Sequence, residues 1–567
     1  MYPAGVHCLS CRSSSGFPCQ PRPPTGVIQG DVTDTTGAVI PNARVIITNV
    51  NTGEKDEVQT GSTGRFVRPF VRPGTYTVQV EVEGFRPVRQ DEVKVDVGQT
   101  RELSFTLEVG ALAQEVQVTA APPPLDTSTS SIGQVIENKR IMDLPLNGRS
   151  AFALAQITPG VNPTGGGSTP HMGGARNALS ELQIDGVTDI APNNNIGVND
   201  RVYEPQVDAV EEFSVQINSL AAEYGRFAGG VINVVTKSGT NTLHGTAYDY
   251  LRNQKLDANN FFANRAGRKP GAFKRNQWGG TVGGPIYIPG LYDGRDRSFF
   301  FVGLETTNAR SGSVFTGTMP LEAWRRGDFS DLRNSAGQPI TIYDPLTVRE
   351  DPANPGKFIR DPFAGNIIPA NRQDKVAVNA MEYFPRPNTT PTNEYTGANN
   401  FTNSGTSRND SHRLDTRIDQ NWRNWWRMFA RVSTSWGESI PFNGFGNIAT
   451  SSGDGPSKSK SVSVSLDHTF TVRPTLIANL RYGLGRTSNN RVPFSDGFDH
   501  VALGLPSYYA ETAAREGAEF PRFEFSGSVA SLGQFGWTRL YAGALTHSLA
   551  GSLTKILSNH TIKSGGE

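Results

Sequence analysis

The residues best suited to hold a metal come at the start of the chain. In "HCLSCRSSSGFPC", His7, Cys8, Cys11 and Cys19 are the donor types of a zinc knuckle. Such a site needs four ligands held by a surrounding fold, and no neighbouring element supplies one, so no metal is expected. These are the three cysteines of the 567-residue chain. The thiol-free remainder fits an oxidising export route. For nucleophilic, phosphate or hydride chemistry there is no Walker loop, no G-x-G-x-x-G, no G-x-S-x-G and no H-E-x-x-H, and the eight histidines are scattered. The acidic turns "YDGRDRS" and "SSGDGPS" lack the Asp/Asn repeat of a calcium loop. Neither an enzyme nor a cofactor is expected. Trp422, Trp425 and Trp426 in "NWRNWWRMF" have the types of a ligand platform, but they equally suit an aromatic girdle at a bilayer edge, which is the expectation here.

Composition then limits the elements that could position any site. Lys plus Arg number 54 against 53 Asp plus Glu, so no nucleic-acid footprint is visible. With 61 Gly, 37 Pro and 36% hydrophobic residues, the chain favours many short strands over long helices. Mean hydropathy is −0.40 and no apolar run reaches ~18 residues, which excludes a transmembrane helix but not a membrane β-barrel, whose strands are apolar only at alternate positions. The first twenty residues lack the apolar stretch of a signal peptide, so the true N-terminus is expected to lie elsewhere. The length calls for several domains.

Residues 1–25 read as a disordered N-terminal segment. From 26 to 109, strands alternate with turns. "TYTVQVEVEG" puts Tyr76, Val78, Val80 and Val82 on one face, and the pattern repeats through Val93, Val95, Val97 and then Leu103, Phe105, Leu107, Val109. About seven strands at this spacing predict a small β-sandwich. The Pro, Ser and Thr of 110–130 read as linker. Residues 131–240 read as a small α+β unit, with Ser150 placed to cap "AFALAQI" and Asp208 and Glu211 spaced as a capping box. After Thr240, from 241 to 567, alternating segments such as "HGTAYDYL", "QWGGTVGGPI", "HRLDTRID" and "SVSVSLDHTF" dominate, interrupted by a long unpatterned loop at about 306–410.

The stretch "GGVINVVTKSGTNTLHGTAYDYLRN" joins two kinds of strand. Ile232 and Val234 lie on one face and Val231 and Val235 on the other, as in a strand covered on both sides. In "HGTAYDYL", Thr246, Tyr248 and Tyr250 share a face opposite Gly245, Ala247 and Asp249. Tyrosines facing a membrane interface, with small residues turned inward, are expected of a barrel wall around a protein plug.

Residues 26–109 resemble the carboxypeptidase regulatory-like domain, a prealbumin-like sandwich of the carbohydrate-binding-like fold. "LPLNGRSAFALAQITPGV", "ELQIDGVTD", "AGGVINVVTKSGTN" and "RSFFFVGLE" resemble the plug and first barrel strands of TonB-dependent outer-membrane receptors, in the Oar-like branch that carries such a domain in front. The resemblance implies a mainly β chain: sandwich, α+β plug at 131–240, and part of an antiparallel transmembrane β-barrel at 241–567, with the 306–410 loop extracellular. It implies an outer-membrane location in a Gram-negative-type bacterium with the sandwich periplasmic. It also implies uptake of an imported ligand of unknown identity, lipid contact, and energy from the TonB-ExbB-ExbD complex. Members carry a TonB box ahead of the plug, and "QEVQVTA" (Gln114, Glu115, Val116, Gln117, Val118, Thr119, Ala120) occupies that place. An extended segment there can add a strand to a partner's sheet edge. The alternative is that these residues end the sandwich. A plugged barrel has about 22 strands; at ~10 residues per strand plus turns, the residues after Thr240 outside the long loop build roughly half of one, so the chain is expected to be an N-terminal fragment. The competing reading of the whole is a secreted or surface β-rich adhesin or glycan-binding protein.

Overall fold

The computed structural model describes residues 25–110, 116–118 and 132–567, apart from 145, 147, 165–168, 177–178, 192–200, 219–227, 260, 266, 268, 527–528 and 558–559. His7, Cys8, Cys11 and Cys19, with the rest of 1–24, lie outside the described residues.

Seven strands form the N-terminal unit: β1 (Gly26–Asp34), β2 (Arg44–Asn49), β3 (Lys55–Gln59), β4 (Arg65–Val71), β5 (Gly74–Glu81), β6 (Val88–Val95) and β7 (Thr100–Leu107). They make two sheets, ordered β4-β1-β7 and β3-β2-β5-β6, the second extended at its edge by the three-residue β8 (Val116–Val118). Period-two apolar residues explain the sandwich: Val78, Val80, Val93, Val95, Phe105 and Leu107 are buried in one core, each worth roughly 1.5 to 3 kcal/mol when fully covered. Val109 is exposed, because its strand ends at Leu107.

A second sheet, ordered β11-β10-β13-β12-β9, comprises β9 (Ile132–Glu137), β10 (Glu181–Ile184), β11 (Val187–Thr188), β12 (Val210–Asn218) and β13 (Val231–Thr236). Its core holds Leu182, Ile184, Phe213, Val215, Ile232 and Val234. All six residues of β13 are buried, as the two-sided apolar pattern predicts. Neither predicted cap forms. Ser150 precedes a 3₁₀ turn without capping it, and its hydroxyl donates to Glu204 at 2.5 Å instead. Asp208 lies within another 3₁₀ turn, and a buried guanidinium takes its carboxylate. In both cases a charged tertiary partner displaces the local hydrogen bond.

From His244 the chain builds one antiparallel sheet of nine strands in sequence order: β14 (His244–Asn253), β15 (Phe273–Pro285), β16 (Ser298–Gly317), β17 (Phe401–Arg423), β18 (Trp426–Ile440), β19 (Ser457–Arg473), β20 (Leu476–Arg491), β21 (Leu540–Leu557) and β22 (His560–Gly566). Among the described residues this sheet does not close, and β14 and β22 are its edges. The wall curves around the second sheet. Strands β16 and β17 run well into the stretch read as loop, so the connection is 318–400. It is ordered around Met319, Phe384, Phe401, Phe445, Phe498 and Phe520 from several connections at that rim. Turn chemistry and scattered aromatics carry no periodicity, which is why the sequence pattern misses this cap.

Candidate functional site

The wall meets the inner α+β unit through two polar clusters. The first centres on Asp185, which follows β10 in the "IDGVTD" turn with φ of +51°. Its carboxylate accepts from the Thr236 amide (3.0 Å) and hydroxyl (2.8 Å) and from Arg417 Nη1 on β17 (3.2 Å), and forms an ion pair with Arg431 on β18, whose Nε lies 2.8 Å away. Arg417 also forks onto Asp419 (2.9 and 3.0 Å). Arg481 on β20 pairs with Asp467 on β19 (2.7 Å) and reaches the Gly186 carbonyl (3.2 Å). Four residues on, Asp189 accepts from the Tyr203 amide (3.0 Å) and the Ser463 hydroxyl (3.3 Å). Burial pushes the Asp189 carboxyl up to about 7, against the pull of these donors.

Arg149 holds the second cluster. It pairs with Asp208 (2.5 Å) and lies over the rings of Tyr248 and Tyr250, at 4.9 and 4.1 Å. The Tyr248 hydroxyl lies between two acceptors, Gln206 Oε1 (3.0 Å) and Glu305 Oε2 on β16 (3.1 Å), which share its one proton. Arg413 bonds Glu305 (3.3 Å) and faces Glu204 (3.9 Å), which also pairs with Arg201 at 2.6 Å. Burial alone would raise Glu204; Arg201 and Arg413 outweigh it and hold the carboxyl below its ordinary range.

These contacts correct the expected facing of β14. Tyr248 and Tyr250 turn inward, because Arg149, Gln206 and Glu305 offer stacking and hydrogen bonds that lipid does not. The outward face carries Gly245, Ala247, Asp249 and the exposed Leu251. The same face continues through Trp278, Val282, Ile418, Val432, Leu545 and Leu549, all exposed, as an apolar band for lipid requires. Inward glycines let the inner unit approach. A Cβ at Gly303 would lie 1.9 Å from Gln206 Nε2, and one at Gly483 2.2 Å from Val187 Cγ1. Trp422 and Trp425 are exposed at the turn between β17 and β18, stacked with Trp426.

The N-terminal sandwich abuts the same rim as those tryptophans. Arg427 on β18 pairs with Glu54 and Asp56 of the sandwich, Arg72 pairs with Asp419 (3.1 Å), and the Asn241 amide donates to the Asn51 carbonyl (3.0 Å).

Of the residues singled out for partner binding, Val116, Gln117 and Val118 form β8, parallel to Val88, Arg89 and Gln90 of β6. Gln114, Glu115, Thr119 and Ala120 lie outside the described residues. No group of three or more metal-ligating residues occurs among the described residues. Sequence reasoning missed both clusters. The signal was present in "HRLDTRID", where Arg413, Asp415, Arg417 and Asp419 put charge at every second position of a strand, the mark of a polar inner face.

Residues 235–567 match the family model of an outer membrane beta barrel domain, and residues 27–108 that of a carboxypeptidase regulatory-like domain. The TonB-dependent transporter Oar of Myxococcus xanthus is 27% identical over 306 residues, which are 51% of this chain and 27% of that protein. Carboxypeptidase D of Anas platyrhynchos is 31% identical over 112 residues, covering 19% of this chain and 8% of the other. Similar solved structures include the outer membrane transporter YddB from Escherichia coli (TM-score 0.43, 10% identity, 75% of this chain and 45% of that one). The siderophore receptor PirA from Acinetobacter baumannii is another (TM-score 0.38, 15% identity, 76% and 46%). The chain thus spans about a quarter of the curated transporter and under half of these solved barrels.

Proposed function

We propose, from the premise that this chain belongs to the outer-membrane β-barrel family, that it works as a plugged receptor taking up a ligand through the outer membrane. The observation that carries this reading is the α+β unit seated inside the wall: Asp185 receives Arg417 and Arg431 from two adjacent barrel strands. Buried ion pairs of this kind cost desolvation and fix geometry more than they stabilise, which suits a plug that must hold one position and still be displaced. An exposed apolar band outside a charged interior is the reverse of a soluble adhesin. The reading is of transport, not of catalysis.

Energy for displacement comes, in this proposal, from the TonB-ExbB-ExbD complex acting on Gln114 to Ala120. Supporting it, Val116–Val118 is already extended, ahead of the plug, at a sheet edge on the sandwich side. We assign that side to the periplasm and the aromatic-cored cap to the exterior. The domains we infer are 26–109 (sandwich), 110–130 (linker), 131–240 (plug) and 241–567 (barrel portion).

The test is a photo-crosslinking amino acid at Gln117 in cells that contain the energy-coupling complex. An adduct with TonB is expected, and its loss when Val118→Pro removes a main-chain donor. No adduct at Gln117 or at its neighbours would sink the coupling, while recovery of the protein from the soluble fraction would sink the receptor.

A further inference from the structure

The sandwich and the plug touch through carboxyl groups that have few cations to answer them. The Val97 amide of the sandwich donates to the Glu212 carboxylate on β12 of the plug. Asp96, the neighbour of Val97, faces the same carboxyl, and its Oδ1 is buried without a hydrogen bond. Lys94 on β6 lies 3.6 Å from Asp96 and pairs with Glu137 at the end of β9. Glu211 stands beside Glu212 on β12. One ammonium therefore faces Asp96, Glu137 and Glu212, from the sandwich, β9 and β12, while Glu211 adds its charge to that of Glu212. Glu212 is 5% exposed, so water does little to screen the excess.

We propose that the sandwich is a removable floor beneath the plug, seated by a proton held between Asp96 and Glu212, and that losing this proton unseats it. Two like carboxylates in one buried site cannot both ionise cheaply. Burial pushes Glu212 up to about 8 and raises Asp96 as well. Undocking would return both to water and to the ordinary carboxylate range. The seated state binds more protons than the free state between about pH 4 and 8. Seating is therefore strongest below that window, weakens as pH rises through it, and levels off above.

The floor has something to close. A cavity of about 110 Å³ is walled by Thr52 and Arg72 of the sandwich, Glu211 and Thr236 of the plug, and Arg427 and Asp467 of the barrel. Moving the sandwich opens it toward the near rim. The other anchors, Arg427 with Glu54 and Asp56 and Arg72 with Asp419, match each carboxylate with a guanidinium. Glu212, pressed against Asp96, is thus the group of this seat placed to sense pH in the neutral range.

The experiment places spin labels at Thr36→Cys, on the distal turn of the sandwich, and at Arg473→Cys, on the near-rim turn of the barrel. Cys8, Cys11 and Cys19 are replaced by Ser, and the full chain is used in detergent. The interlabel distance at pH 5 should be single and narrow, with a longer, broad population growing towards pH 8.5. The seated-to-free ratio should fall by up to about tenfold per unit within the window. Glu212→Gln, which keeps the hydrogen-bond acceptor and removes the charge, should hold the seated distance across the range. If Glu212→Gln does not fold, Asp96→Asn serves the same purpose. One unchanging distance in the parent, or variants that loosen with pH as the parent does, overturns the proposal.

Discussion

Asp189 shows what a single buried residue contributes. Its carboxyl titrates near 7 inside the plug because burial disfavours its charge, while in an unfolded chain it titrates near 4. The folded plug therefore binds more protons between those values, and its stability declines as pH rises from about 4 to about 7, by on the order of 4 kcal/mol at most. Asp189→Asn should remove the share of that slope that Asp189 contributes and leave the alkaline value near or above the parent's. Hydrogen exchange at the Tyr203 amide, which Asp189 accepts, measures it once intrinsic exchange is subtracted; equal slopes in parent and variant would count against a buried ionisable Asp189. The sequence offered this aspartate only as part of "ELQIDGVTD". The arginines that converge on Asp185 come from strands more than 230 positions away, and no local pattern joins them.

Individual strands were legible and their facing was not always so. Period-two alternation located both sheets of the sandwich and most of the barrel strands, because each buries one face against a core or a plug. It gave the wrong side for Tyr248 and Tyr250, since a tyrosine satisfies either a membrane interface or a polar lumen, and Arg149 and Glu305 decide between them. Gly483 on β20 turns inward, and a Cβ there would lie 2.2 Å from Val187 Cγ1, whereas Gly551 on β21 has nothing nearer than 3.9 Å. Gly483→Val should push the 185–189 turn off the wall and cost about 1 to 3 kcal/mol, the usual scale of overpacking. Gly551→Ala should be close to neutral. Faster exchange at the Val187 amide in the first variant and not in the second is the expected outcome, and equal protection in both would mean that β20 does not press on the plug.

Across the whole molecule, three units that each bury a separate core are held together by arginines. Arg427 on the barrel reaches Glu54 and Asp56 of the sandwich, Arg72 of the sandwich reaches Asp419 on the barrel, and Arg417 ties that carboxylate to the plug through Asp185. A guanidinium serves such junctions because its planar fork engages two carboxylates at once, which an ammonium on a flexible stem does less well. Arg427→Lys should therefore keep the charge and lose much of the seat, and Arg427→Ala should lose more, since both partner carboxylates are then left with one cation fewer at a partly dry surface. Limited proteolysis between the sandwich and the plug reads the difference, with cleavage rising from parent to Lys to Ala while the barrel core stays resistant. The order matters more than the amount. If Lys matched the parent, charge alone would hold the sandwich in place; if all three were cut at the same rate, the sandwich would be held by the Asp96 and Glu212 contact with the plug, and Arg427 would only orient it.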